Sequence, residues 1–167
     1  MNVALFGFMG VGKSAVGRML AEKLGLSFVD LDEEIVRRTG RSIESIFQED
    51  GEEKFREIEK AMTEEYSALE GQVIACGGGT VIDPENLENL RRSSRMVLLT
   101  ADPEVILERV EAEEDVRPLL NVDDRLGKIR SLLTKRWPSY VEAADIIIDT
   151  SEYPPRVVVS IIIENLE

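Results

Sequence analysis

The chain of 167 residues contains no histidine. That removes imidazole both as a metal ligand and as a general acid or base, so any proton acceptor must be a carboxylate or a less usual group. There is one cysteine, Cys76, which excludes an internal disulfide framework and fits a reducing cytoplasm. No apolar run approaches the ~18 residues of a membrane helix. The opening "MNVALFGF" has neither a basic segment nor a small-residue cleavage site, so no signal peptide is expected. Positive charge is also short: 20 Lys and Arg against 33 Asp and Glu leave a net charge of −13. So acidic a chain lacks the basic surface that nucleic acids and anionic membranes require. An anionic ligand would need a local basic island. Asn and Gln are scarce while charged residues reach 32%, a balance that fits a heat-tolerant source.

What is present is enough apolar residue, 43%, for a real core, and the length suits one domain over residues 1–167. "NVALFG" reads as a buried strand. "GKSAVGRMLAEKLG" follows as a helix with Val16, Leu20 and Leu24 on one face and Gly25 closing it. "LSFVDLD" reads as a second strand ending in two carboxylates. Two short helices separated by Gly40 and a longer one with the stripe Phe55, Ile58, Met62, Tyr66 and Leu69 come next. "QVIAC" is a third strand, "RMVLLT" a fourth and "DIIID" a fifth. Asp83-Pro84 and Asp102-Pro103 each pair a capping carboxylate with a first-turn proline. A helix after the acidic loop of 111–124 is expected to end at Pro138, and prolines open a C-terminal helix. Alternating strands and helices imply a three-layer α/β/α fold with a five-stranded parallel sheet. Ligands of such sheets bind beyond the carboxyl ends of the strands.

"GFMGVGKS", Gly7 to Ser14, fits G-x-x-x-x-G-K-[ST] in full, with a strand before it and a helix after it. Backbone N–H groups of Gly10, Val11, Gly12 and Ala15 can face phosphates at the helix N-terminus. Lys13 adds a full charge near the β- and γ-phosphates, and Ser14 offers a hydroxyl to Mg²⁺. A Mg²⁺ ion keeps several waters, so one hydroxyl and one carboxylate suffice. No guanine-reading Asn-Lys-x-Asp segment is present. Strand "QVIAC" ends in Gly77, Gly78 and Gly79, where many phosphate-loop proteins carry an aspartate. The metal carboxylate is therefore expected from "DLD".

Asp30 and Asp32 alternate along what reads as extended chain and so share a side of the backbone. One could hold metal waters while the other meets an acceptor hydroxyl, or Asp32 could cap the next helix. Arg56 beside Phe55 could lean into a cleft or pair with a nearby glutamate. Arg117 in "DVRPLL" could close over transferring phosphate or be a solvated charge. Arg136 precedes Trp137-Pro138, with Trp137 read as a packing residue. The three glycines sit between β-formers, a poor setting for a linker. They fit a backbone that must pass close to something.

The pieces "GFMGVGKS", "FVDLDEEIVRRTGRSI", "FREIE", "GGGTV", "VRPLL" and "KRWPSY" stand in an order and spacing that resemble shikimate kinases from end to end. The resemblance implies a phosphate-loop kinase fold with a mobile lid at about 111–124 and a substrate segment at about 30–60. It implies transfer of the γ-phosphoryl of ATP to the 3-hydroxyl of shikimate, with Mg²⁺ as cofactor. By position, Arg56 and Arg136 would hold the shikimate carboxylate. Asp32 would bind ring hydroxyls and orient or deprotonate the acceptor, and Gly77, Gly78 and Gly79 would meet substrate through their backbone. Asp30 would support Mg²⁺ with Ser14. Lys13 and Arg117 would stabilise transferred charge, and Arg109 with Tyr153–Pro155 would lie near adenine. A cytoplasmic monomer with only small-molecule partners is expected. Ala15 departs from the second hydroxyl residue of many such enzymes, and Glu111 to Asp115 place acid beside the expected entry of ATP. A gluconate-type kinase shares the phosphate loop, and a non-catalytic nucleotide-binding regulator is the alternative from another class. The Arg56/Arg136 pair and the triple glycine speak against the first, Asp32 and Arg117 against the second.

Overall fold

The computed structural model describes residues 1–112, 120 and 122–167. Five strands, β1 (Asn2–Phe6), β2 (Ser27–Asp30), β3 (Gln72–Ala75), β4 (Ser94–Thr100) and β5 (Ile146–Asp149), form one sheet in the order β2-β3-β1-β4-β5. Every pairing is parallel. Parallel strands covered on both faces read as unbroken apolar runs, and β1, at the centre, is buried at all five positions. Its side chains alternate between two cores. Val3 and Leu5 pack with Val16, Leu20, Ile106, Val158 and Ile162. Ala4 and Phe6 pack with Val81, Leu90, Leu98 and Tyr140.

The helices are α1 (Lys13–Leu24), α2 (Leu31–Thr39), α3 (Ile43–Asp50), α4 (Glu52–Ser67), α5 (Pro84–Ser93), α6 (Pro103–Glu111), α7 (Arg125–Ala143) and α8 (Pro155–Leu166). Helices α2, α3 and α4 share a small separate core of Ile35, Ile46 and Phe55, flanked by Ile43 and Phe47. The three-layer architecture and the C-terminal helix match the sequence reading. Because all strands run one way, Gly7, Asp30, Cys76 and Thr150 emerge at the same edge of the sheet.

Several local expectations are corrected. The strand in "LSFVDLD" stops at Asp30, and Asp32 lies in the first turn of α2. The two aspartates therefore do not alternate along extended chain. The α2 cap is Asp30, whose Oδ1 accepts from the Glu33 N–H at 3.1 Å. Pro138 does not end its helix but sits inside α7. A proline there forgoes its own bond to the carbonyl four residues back, and both Pro138 and Thr134 are exposed, so water can satisfy the freed carbonyl. Asp102 precedes Pro103 as expected, yet its side chain caps nothing. Leu69 lies beyond the end of α4 and is exposed, while Glu59, Thr63 and Ser67 join Phe55 on the buried face. Trp137 is 41% exposed and is not a core residue.

Candidate active site

The phosphate loop begins where β1 meets its neighbour too closely for a side chain. A Cβ on Gly7 would lie 2.1 Å from the carbonyl oxygen of Leu99, and φ is +142°. The loop ends at Gly12, the N-cap of α1, which offers no side-chain acceptor. The first-turn N–H groups of α1 thus have no cap to satisfy them. Lys13 folds back over the loop, its Nζ donating to the carbonyls of Gly7 (2.6 Å) and Phe8 (3.0 Å). Ser14 Oγ donates to Asp30 Oδ2. Asp30 is therefore bonded on one oxygen to the loop and on the other to the start of α2. Loop and β2 end are locked together by the two residues that the sequence assigns to a metal.

Two clefts open along this edge. The larger, an open space of about 1860 Å³, is lined by Gly10, Gly12, Lys13, Ser14, Ala15, Asp30 and Cys76. The smaller, about 460 Å³, is lined by Phe47, Phe55, Arg56, Glu59, Gly77, Gly79 and Arg136. Met9, Asp32, Ile43 and Gly78 line both. Asp32 thus stands on the boundary between the space beside the phosphate loop and a second, partly apolar one with two guanidinium groups.

The three glycines wall the smaller cleft, and Gly78 is shared with the larger. A Cβ on any of them would crowd a different set of side chains. At Gly77 the Cβ would be 3.0 Å from Asp32 Oδ1 and 3.1 Å from Glu59 Oε2. At Gly78 it would be 3.1 Å from Arg136 Nη1, and at Gly79 2.7 Å from Arg56 Nη1. Bare backbone is what allows all these groups to converge. The sequence reading of close approach holds, and the linker reading fails.

The two arginines are supported differently. Arg56 donates to Glu59 Oε1 at 2.9 Å and to Glu52 at 3.4 Å. Burial works against its charge, but these carboxylates outweigh that and hold its pKa above the ordinary arginine value. The pairing expected as an alternative to a cleft role thus occurs together with it. Arg136 lies over the Phe8 ring at 5.6 Å, and its buried Nη1 has no hydrogen-bond partner among the described residues. A buried guanidinium nitrogen left unsatisfied is costly, and an anionic ligand in the cleft would supply what it lacks.

Sequence reasoning gave no role to three supporting residues. Glu59 is 1% exposed and bridges Arg56 to the hydroxyl of Thr80, at 3.0 Å. Its signal was the i, i+3 spacing in "FREIE". Tyr140, one helical turn after Arg136, donates its hydroxyl to the Gly78 carbonyl and packs edge-on against Phe6. Burial raises its pKa, so it stays a donor. Thr150 follows β5 and has no motif around it. Burial also pushes the Cys76 thiol well above its usual range, so it remains a neutral wall of the phosphate cleft.

Arg109 lines neither cleft. It donates to the Gly10 carbonyl at 3.1 Å and to Thr150. Val11 is buried in the core, and only its backbone can serve a ligand. Pro155 opens α8 and lines neither cleft. Arg117 and most of the expected lid lie outside the described residues.

Comparison with known proteins decides what this geometry belongs to. Residues 9–167 match the family model for shikimate kinase. The chain is 43% identical over 166 residues to the shikimate kinase of Thermodesulfovibrio yellowstonii, covering 99% of this chain and 95% of that one. It is 45% identical to that of Pseudomonas entomophila, covering 99% and 96%. The solved shikimate kinase of Acinetobacter baumannii in complex with shikimate superposes with a TM-score of 0.95 at 38% identity, covering 99% of this chain and 92% of that one. The chain belongs to the shikimate kinase family. It is accordingly an ATP-dependent kinase with the phosphate-loop fold of that family. Among the described residues, no helix is long and apolar enough to cross a membrane.

Proposed function

We propose that this chain transfers the γ-phosphoryl group of ATP to the 3-hydroxyl of shikimate, giving shikimate 3-phosphate and ADP. The observation that carries the reading is the position of Asp32, on the wall shared by the phosphate cleft and the two-arginine cleft. A planar carboxylate matches guanidinium forks, which Arg56 and the unsatisfied Nη1 of Arg136 offer. In this assignment the backbone of Gly77, Gly78 and Gly79 meets the ring and Asp32 accepts from its hydroxyls. Phosphoryl transfer depends more on position and charge than on a strong base, so Asp32 mainly orients the acceptor. Asp32→Asn should lower kcat strongly; a variant keeping most of kcat would remove both the orienting and the base role.

The phosphates are assigned to the loop amides of Gly10, Val11, Gly12 and Ala15 with Lys13 and Ser14. Arg109 and Pro155 are assigned to the adenine end. Ser14 and Asp30 present hard oxygen atoms side by side, a donor set suited to Mg²⁺. Among the described residues no group of three or more acidic or cysteine ligands stands together, so the ion would rely on its waters and on ATP phosphates. When bound, Mg²⁺ would neutralise charge on the β- and γ-phosphates. Arg117 is assigned to the transferred charge on its "VRPLL" motif. We take residues 1–167 as one kinase unit, a cytoplasmic monomer, with a substrate segment at about 30–60 and a lid at about 111–124. ADP release over a panel of hydroxy acids tests the reading. Turnover with shikimate and not gluconate is expected; gluconate activity alone, or nucleotide binding without turnover, would overturn it.

A further inference from the structure

A phosphate loop binds anions only if its peptide groups face the right way. In a trans peptide the carbonyl of one residue and the N–H of the next point in opposite directions, and there is no cis peptide among the described residues. Whatever holds a loop carbonyl on the protein side therefore turns the following N–H the other way. Two carbonyls of the loop are held by Lys13, those of Gly7 and Phe8. The next two held are those of Gly10 and Val11, and their donors come from far along the chain. Arg109 Nη1 donates to Gly10 O at 3.1 Å, and Thr150 Oγ1 donates to Val11 O at 2.8 Å.

Thr150 is 3% exposed and sits one residue past the end of β5. Its backbone N–H bonds to the Thr100 carbonyl at 2.7 Å, which fixes it to β4. Its hydroxyl has one proton and two contacts that could take it, Val11 O at 2.8 Å and Thr100 O at 3.1 Å. Val11 O is the nearer, and Thr100 O already has the Thr150 amide. The lone pairs of the same hydroxyl accept from Arg109 Nη1 at 3.1 Å, and Arg109 Nη2 donates to the Thr150 carbonyl at 2.8 Å. Thr150 thus holds Val11 directly and holds the arginine that holds Gly10.

We propose that Thr150 is a positioning residue for the nucleotide: with Arg109 it turns the N–H groups of Val11 and Gly12 toward the phosphates and so sets the affinity of the loop for the terminal phosphates of ATP and ADP. The inference rests on the phosphate cleft being the nucleotide site. It adds a residue that touches no ligand yet sets the polarity of the loop. It also gives Arg109 a duty toward the loop backbone, whatever it does at the adenine end.

The test compares ADP and AMP binding by calorimetry in the full chain. Thr150→Val keeps the shape and removes the hydroxyl. It should weaken ADP by about 5-fold, the worth of one net hydrogen bond, while AMP and shikimate change less than about twofold. The ADP-to-AMP affinity ratio should fall accordingly. Thr150→Ser should restore that ratio. Thr150→Ala gives the same comparison should the valine variant not fold. A ratio unchanged in Thr150→Val or Thr150→Ala overturns the proposal. So does an equal loss of ADP and AMP, which would mean that β5 had merely loosened. If the unaltered protein bound ADP no better than AMP, the nucleotide reading itself would fall.

Discussion

The two clefts are built on opposite plans. The phosphate cleft comes largely from one continuous stretch, Gly7 to Ala15, and many of its bonds go to backbone carbonyls. The second cleft comes from four separate places in the chain, namely Asp32, Arg56, Gly77–Gly79 and Arg136, and its bonds run mainly between side chains. A phosphate chain is read by many equivalent oxygens, so a nest of amides suffices. A ring with one carboxylate and several hydroxyls demands distinct donors and acceptors at set distances. Such a set has to be gathered from several elements.

The contrast can be tested by breaking one side and watching the other. The largest effect is expected for Lys13→Met, with kcat falling by at least ~10²–10³, the usual loss for removing one group that stabilises transferred charge. Shikimate affinity measured without nucleotide should stay near normal. Next is Arg136→Ala, which should raise the KM for shikimate by ~10–100-fold, since a hydrogen bond to a charged group is worth ~1.5–3 kcal/mol. ADP affinity should be unchanged, and a joint loss would mean that the two clefts are one. Gly79→Ala should follow, because its Cβ would sit 2.7 Å from Arg56 Nη1 and force that guanidinium aside. A several-fold rise in the KM for shikimate with normal nucleotide KM is the expected result. Gly78→Val is the stricter form of the same test.

The smallest effect concerns neither cleft and serves as a reference for both. Glu34 is hydrogen-bonded by Arg37 and Arg38, and despite some desolvation its pKa is lowered to about 2. A depressed carboxyl pKa contributes stability above its unfolded value that is lost as pH falls through the folded one. Part of the acid loss of stability between about pH 4.5 and 2 should therefore vanish in Glu34→Gln, as read by thermal melts. Screening of its exposed partner Arg37 keeps that part small.

The phosphate loop, the order of strands and helices and the five-stranded parallel sheet were legible in the chain because each is a local or periodic pattern. So was the close approach at the triple glycine, which follows strand β3. The turn from strand to helix between Asp30 and Asp32 was not. Apolar alternation through "LSFVDLD" looks the same whether it continues as strand or bends into a helix whose first turn is acidic. Pro138 misled because a proline's cost depends on whether its lost carbonyl partner faces water, which periodicity does not tell. Glu59 and Tyr140 were within recognised motifs, but their duties depend on which groups they face.

Residues 7 to 15 alone thus carry the phosphate-loop motif, since a loop closed by glycine and lysine at a helix start needs no distant help to be recognised. Only the folded chain decides that Gly77, Gly78 and Gly79 abut Asp32, Arg136 and Arg56 in turn. Only the fold, again, brings Thr150 to Val11 across 139 positions. Contacts of that kind carry no local signature, because sheet order and helix packing place the partners and neither is written next to the residues that use them.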